Sequence, residues 1–364
     1  MPLLKLKLYT ILIVFILGIC LNNTTSYAQP DLSVSAEHAI LIDAESGRVL
    51  FEKDAYSPSL VASTTKILTA ILAIESGDLE EDVVVSERAI RTEGSSIYLT
   101  EGEKIKLQDL IYGLMLRSGN DSAVAISEHI GGSVEGFVYM MNEKAQWIGM
   151  NDSNFENPHG LDGDNHVSSA YDLALLMKYS MENDTFREVT GSEIYKSENR
   201  TYSWQNKNKL LTMLYENTTG GKTGFTKQAG RTLVSSAEKD GMELVAVTLN
   251  APSDWNDHER MYEWGFDNYE TYQIQKEGYE ESSGQNYYLP KDVSVPLTKE
   301  EKNQLTAVFH SDNVSNLYAG TRYFQLEDQI LAESAVLTER PQQPWLSASF
   351  AFMKRMMGVG SWST

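Results

Sequence analysis

Cysteine is all but missing from this chain: Cys20 is the only one in 364 residues. A single thiol permits no intramolecular disulfide and no cluster of cysteine metal ligands. Positive charge is scarce as well. Thirty Lys and Arg face 51 Asp and Glu, a formal net charge of −21, and such a surface repels the phosphates on which nucleic-acid affinity depends. A nucleic-acid partner is therefore excluded. Hydrophobic residues nonetheless make up 41% of the chain, too many for an acidic disordered tail. The histidines at 38, 129, 159, 166, 258 and 310 are scattered, so a histidine metal site is not advertised. Repeats and low-complexity tracts are lacking, and the length allows two domains, or one with an appendage.

Long apolar runs are missing too, with one exception. Lys5 and Lys7 precede the run Leu8 to Leu21, which gives way to polar residues and the small-x-small exit Ser26-Tyr27-Ala28. This is the pattern of a secretory signal cleaved after Ala28, with an uncleaved anchor as the second reading and acylation of Cys20 as a third. Cleavage would take the basic count from 30 to 28 and the charge from −21 to −23, leaving no cysteine.

Residues 38–53 read as two short strands around Glu45-Ser46-Gly47. Ser63-Thr64-Thr65-Lys66 opens an apolar stretch from Ile67 to Ile74, a buried helix stopped by Gly77. Two helical stretches in 107–130 are interrupted by Ser118-Gly119-Asn120, and Tyr171 to Met181 is another. From Leu210 the pattern turns to strands, with a hairpin across Asp240-Gly241. These elements predict an α+β fold. After residue 273 short runs alternate polar with apolar residues, as in a small β-rich domain. In 344–364, helical spacing places Trp345, Phe352, Met356 and Val359 on one face, and Lys354 and Arg355 are the only charges. That segment reads as an amphipathic membrane anchor, or else as a terminal helix packed on its own protein.

Three short motifs carry chemistry. Ser63 and Lys66 are three apart at a helix start, so the amine can take the serine proton. Ser236 and Lys239 repeat the spacing on a strand, where it does not align side chains. Among three Ser-x-Asn triplets, Ser118-Gly119-Asn120 lies between buried helices, unlike Ser197-Glu198-Asn199 and Ser311-Asp312-Asn313. Lys222, Thr223 and Gly224, ahead of the strand hairpin, supply a cation, a hydroxyl and room for substrate backbone. A phosphate-binding loop is not a match, because the preceding Gly-x-x-x-x is absent.

In chain order these motifs form the three-part signature of penicillin-binding proteins and serine β-lactamases. The sequence resembles the low-molecular-mass penicillin-binding proteins that act as serine D-alanyl-D-alanine carboxypeptidases. LMLRSGNDSAVAISEHI, NPHGLDGDNHVSSAYDLALL, NKNKLL and GGKTGFTKQAGRTLVSSA carry the likeness, which spans about Ala36 to Tyr272. It implies a β-lactamase/transpeptidase-like catalytic domain, an antiparallel sheet with a helical subdomain. The expected division is signal peptide 1–28, catalytic domain 29–272, β-rich accessory domain 273–343 and amphipathic anchor 344–364. The accessory strands are less regular than the resemblance leads one to expect.

The resemblance implies Ser63 as acyl-ester nucleophile, Lys66 as proton acceptor, Ser118 as proton relay and Asn120 as a holder of the substrate amide. Lys222, Thr223 and Gly224 would bind substrate, with Lys222 on its carboxylate and the backbone N–H groups of Ser63 and Phe225 on the oxyanion. The implied partners are a peptidoglycan stem peptide ending in D-Ala-D-Ala, β-lactam antibiotics and, through 344–364, the membrane surface. No metal or other cofactor is expected. Other readings are a DD-endopeptidase, a β-lactamase with Glu156 as its acid, a zinc peptidase built on His159 and His166, and a silent wall-binding protein.

Overall fold

The computed structural model describes residues 32–341, apart from 199, 283 and 312–316. The expected signal peptide and the expected amphipathic tail therefore lie outside the described residues.

Two strands, β1 (His38–Asp43) and β2 (Val49–Lys53), pair around Gly47, whose φ of 75° lets the chain reverse. They join β3 (Thr218–Thr226), β4 (Gly230–Lys239) and β5 (Met242–Leu249) in one antiparallel sheet of order β2-β1-β5-β4-β3. As the Asp-Gly pair predicts, β4 and β5 meet in a tight turn with φ of 52° at Asp240 and 83° at Gly241. Every residue of β1 is buried. That is why HAILID reads as a near-continuous apolar run: both faces of the sheet are covered.

Helix α1 (Lys66–Ser76) buries all eight residues from Lys66 to Ala73, as its all-round apolar pattern predicts. Around it lie α2 (Leu107–Arg117), α3 (Asn120–Gly131), α4 (Val134–Ile148), α5 (Ala170–Met181) and α6 (Asp184–Gly191). Ile40, Ile42, Val245 and Val247 from the sheet share a core with Ile67, Ile71 and Leu114 from the helices. Each such side chain contributes about 1.5–3 kcal/mol on burial. On the other face sits α7 (Asp254–Asn268). Its Gly265 lies so close that an added Cβ would meet Leu244 at 2.7 Å and Leu41 at 2.9 Å. Buried His258 joins α7 to the sheet through the hydroxyls of Ser235 (2.7 Å) and Thr248 (3.0 Å).

Leu210 to Leu214 departs from the strand expectation by forming a π-helical turn, and β3 begins only at Thr218. The Asn208 side chain accepts the Leu210 N–H at 3.2 Å, and only Leu210 of this turn is fully buried. An apolar run with one anchored residue and a capping amide can thus coil rather than extend.

The last part of the described chain is β-rich. β6 (Glu270–Gln275) pairs with β9 (Val293–Leu297). A small curled sheet holds β7 (Gly278–Ser282), β8 (Gln285–Leu289), β10 (Thr306–Ser311), β11 (Tyr318–Leu326) and β12 (Gln329–Leu337) in the order β7-β8-β12-β11-β10. Val295, Leu297, Leu326 and Leu331 form one buried cluster here, and Leu289, Phe324, Val336 and Leu337 are buried as well. Arg48, from the β1–β2 turn, ties the two parts together by donating to the Pro296 carbonyl and the Glu301 carboxylate. Among the described residues no helix is long and apolar enough to cross a membrane.

Candidate active site

Ser63 lies in a 3-10 turn, Ala62–Thr65, that runs directly into α1. Three residues per turn bring positions i and i+3 into register, and Lys66 Nζ lies 2.9 Å from Ser63 Oγ. Ala62, just before the nucleophile, has a φ of 49°. For a residue with a Cβ this costs about 1–2 kcal/mol, and the neighbouring chain holds it in place. Gly160 (φ 84°) lies against it, where a Cβ would fall 1.9 Å from the Ala62 carbonyl oxygen. Only glycine fits there.

The segment from Asn157 to Leu161 forms the floor. Asn157 accepts the Gly160 N–H at 2.7 Å and donates to Leu161 O at 2.9 Å, and Thr69 donates to Pro158 O at 2.6 Å. The chain so held presents the His159 carbonyl to Lys66 Nζ. Lys66 is fully buried, and its pKa is driven well below the ordinary lysine range, first by loss of water and then by the charges of Lys222 and Lys207. A lowered affinity for its own proton suits the amine to act as a base.

Among the described residues no cluster of three or more His, Cys, Asp or Glu stands ready for the zinc reading, and both His166 nitrogens are engaged. His166 Nδ1 accepts the Glu156 N–H at 3.0 Å, which leaves Nε2 to donate to Thr65 Oγ1 at 2.8 Å. His159 Nδ1 accepts the Leu161 N–H at 3.2 Å. Burial lowers His159 to about 3 and His166 to about 4, with Lys66 adding to both shifts. The Glu156 carboxylate accepts the Asn165 N–H within its own loop.

Ser118 and Asn120 occupy the junction of α2 and α3. Ser118 is the left-handed cap of α2 (φ 64°), its N–H bonded to Gly113 O. Asn120 is already the first residue of α3, so the interruption expected between the helices shrinks to two residues. Its N–H donates to Ser95 O at 2.7 Å and its Nδ2 to Glu93 O at 2.6 Å. Asn120 Oδ1 is buried with no partner among the described residues, a cost of about 1–3 kcal/mol that a donor on a substrate would relieve.

Lys222, Thr223 and Gly224 sit within β3, ahead of the β4–β5 hairpin as expected, and face Val234, Leu233 and Thr232 across the ladder. β3 ends the sheet, so its outer side offers backbone groups to an extended ligand. A Cβ on Gly224 would lie 2.9 Å from the Ser63 nitrogen, which brings the third motif against the first. Phe225, one residue on, is exposed. Lys222 is buried, donates to Thr223 O at 2.6 Å, and has its pKa lowered to about 7 by desolvation and then by Lys207.

Two contributors escape motif reasoning. The His159 carbonyl is backbone and leaves no trace in side-chain chemistry. Lys207, within NKNKLL, bonds Leu116 O through its N–H and Ser95 Oγ through Nζ at 3.4 Å. Its charge lowers the pKa of both Lys66 and Lys222, an effect that no spacing in the sequence announces. The rejected pair also behaves as spacing on a strand requires: Ser236 faces Thr219 at 2.6 Å, while the Lys239 ammonium lies 5.8 Å from the centre of the Phe266 ring.

A D-alanyl-D-alanine carboxypeptidase family model matches residues 23–253. The chain is 32% identical over 355 residues to the Bacillus subtilis D-alanyl-D-alanine carboxypeptidase DacF, covering 90% of each. It is 30% identical over 358 residues to DacA of Escherichia coli K12, covering 89% of this chain and 88% of that one. In structure it is similar to penicillin binding protein 5 from Haemophilus influenzae, with a TM-score of 0.75 and 26% identity, over 85% of this chain and 98% of that one. By sequence and by fold alike, the chain belongs to the D-alanyl-D-alanine carboxypeptidase family.

Proposed function

We propose that this protein is an exported serine D-Ala-D-Ala carboxypeptidase that removes the last D-alanine from peptidoglycan stem pentapeptides, thereby limiting cross-linking, and that β-lactams acylate it. The observation that carries the reading is the enclosed Lys66 amine 2.9 Å from Ser63 Oγ, beside an edge strand bearing a buried lysine.

The substrate end lies along β3, its carboxylate on Lys222. A carboxylate there stabilises the charged ammonium and so favours peptides with a free terminus. Ser63 Oγ attacks the carbonyl carbon of the penultimate residue while Lys66 takes the hydroxyl proton. The N–H groups of Ser63 and Phe225 receive the oxyanion; loss of one such donor typically costs about 3 kcal/mol. Asn120 holds the substrate amide. Ser118 relays the proton to the leaving nitrogen, the carbon–nitrogen bond breaks, and D-alanine departs as an amine. Water then hydrolyses the ester and restores Ser63.

Residues 1–28 would direct export, 29–272 would form the catalytic domain and 273–343 the accessory domain. The segment 344–364 would hold the enzyme on the outer face of the cytoplasmic membrane. The apolar spacing of Trp345, Phe352, Met356 and Val359, with Lys354 and Arg355 as the only charges, supports that attachment. Deleting 344–364 is expected to shift the protein from the membrane to the soluble fraction, and an unchanged distribution removes the anchor from the proposal.

For the reaction, a pentapeptide ending in two D-alanines is incubated with the enzyme and followed by mass spectrometry. Loss of one terminal alanine is expected; an intact peptide defeats the reading.

A further inference from the structure

A cavity of about 470 Å³ opens beside Lys207, between the 94–98 loop, the end of α2 and residues 202–207. The steps above make no use of it. The charged residues on its wall are both cations, Arg117 and Lys207, with no carboxylate beside them. In a chain of net charge −21 that is a local reversal of sign. The acid that supports the wall, Asp121, is 1% exposed and faces inward, accepting from Ser96 Oγ and from the backbone N–H groups of Ile97, Leu99 and Ser122. Between those pinned amides Tyr98 is held at φ 62° and left 79% exposed. Positive φ in a bulky residue is uncommon, and here it presents an aromatic ring at the cavity.

The cavity adjoins the reaction centre. Arg117 directly precedes Ser118, a Cβ on Gly94 would lie 2.6 Å from the Asn120 amide nitrogen, and Lys207 acts on both Lys66 and Lys222. The residue that leaves is a single alanine, and its one carboxylate is already placed on Lys222. Any second anion in the substrate must therefore belong to the acyl half.

We propose that this cavity is a subsite for the acyl half of the substrate, where Arg117 and Lys207 hold a carboxylate carried by the stem peptide upstream of the cleaved bond. Tyr98 covers the aliphatic chain that bears it. Arg117 is the more telling residue, because its planar donors suit a carboxylate and because it lies outside the reaction steps. The inference rests on the carboxypeptidase reading.

The test uses two synthetic peptides ending in D-Ala-D-Ala, identical except that one acyl-side residue carries a carboxylate in the first and a carboxamide in the second. The full-length enzyme is expected to favour the carboxylate by about tenfold in kcat/KM, the scale of one charge-assisted hydrogen-bonded pair. Arg117→Gln is expected to erase most of that preference while keeping the carboxamide rate, and Arg117→Lys to restore part of it. Penicillin labelling of Arg117→Gln at the wild-type rate shows that its fold is intact. No preference in the wild type, a preference that survives Arg117→Gln, or equal loss on both peptides overturns the subsite. Release of D-alanine from the carboxamide peptide leaves the carboxypeptidase reading standing in each of those cases. Release from neither peptide defeats that reading and the subsite with it.

Discussion

Two six-residue strands of similar composition meet opposite fates. HAILID, β1, is buried at every position, whereas TAVFHS, β10, is exposed at every position. Both carry β-formers, so propensity does not separate them. Layers do. β1 lies inside a sheet with helices on both faces, while β10 is the edge of a curled sheet, its Phe309 covered only in part, by the Tyr287 ring 5.7 Å away. The larger, catalytic part thus has an interior deep enough to alter the chemistry of lysines and histidines, and the C-terminal part a smaller one, in which Leu289, Phe324, Val336 and Leu337 are buried while β10 stays outside.

The largest expected effect lies in the deep half. Ser63→Ala should lower D-alanine release by at least about 10⁴-fold and abolish the covalent penicillin adduct. An adduct that survives the change would move the nucleophile elsewhere.

Acid comes next. His258 is buried and held at about 3, against 6.5 for an open imidazole. Its unfolded form binds the extra proton, so stability is fully present above pH 6.5 and declines as the pH falls towards 3, by about 5 kcal/mol at the limit. His159 and His166 add to the same trend, and all three lie in the catalytic half. The sole histidine of the C-terminal half, His310, is exposed. Tryptophan fluorescence during acid titration should therefore report early loss of the catalytic half; if penicillin labelling outlasts loss of the C-terminal sheet, the contrast is reversed.

Core substitutions probe the same contrast by volume. Ile40→Ala should cost about 3 kcal/mol in urea denaturation through the cavity it leaves. Val308→Ala on β10 should stay within about 0.5 kcal/mol. Equal costs would mean that the curled sheet is covered by something in solution.

A smaller, more selective effect is expected at Lys222. Its alanine variant should lose about 100-fold in kcat/KM on peptides with a free terminal carboxylate and little on amidated ones, since the interaction removed is charge on charge. Equal loss on both would take Lys222 out of carboxylate binding.

The same contrast explains what could be read before any coordinates. Ser63 and Lys66 were legible because i and i+3 align on any helical turn, and the twist to a 3-10 geometry preserved that alignment. Ser118 and Asn120 were legible from their apolar flanks. Lys222 to Gly224 were legible as strand-region residues ahead of a hairpin, but that this strand forms the edge of the sheet was not, because edge position depends on pairing partners far away in sequence. The curled sheet was foreseeable only as β-rich, since its strands bury short, irregularly spaced sets of side chains such as Phe324, Leu326, Val336 and Leu337. Hidden altogether was the alignment of the His159 carbonyl, which depends on Asn157 and on a glycine 98 residues beyond Ala62 in sequence but in contact with it.

The complete enclosure of the Lys66 amine has a consequence for proton traffic. With the Lys66 amine buried, a proton taken from Ser63 in the proposed reaction would stay within the site until the departing D-alanine nitrogen carried it away. Acylation therefore neither releases nor consumes solvent protons on its own account. The rate of that step should be indifferent to buffer concentration, because no buffer molecule can reach the base.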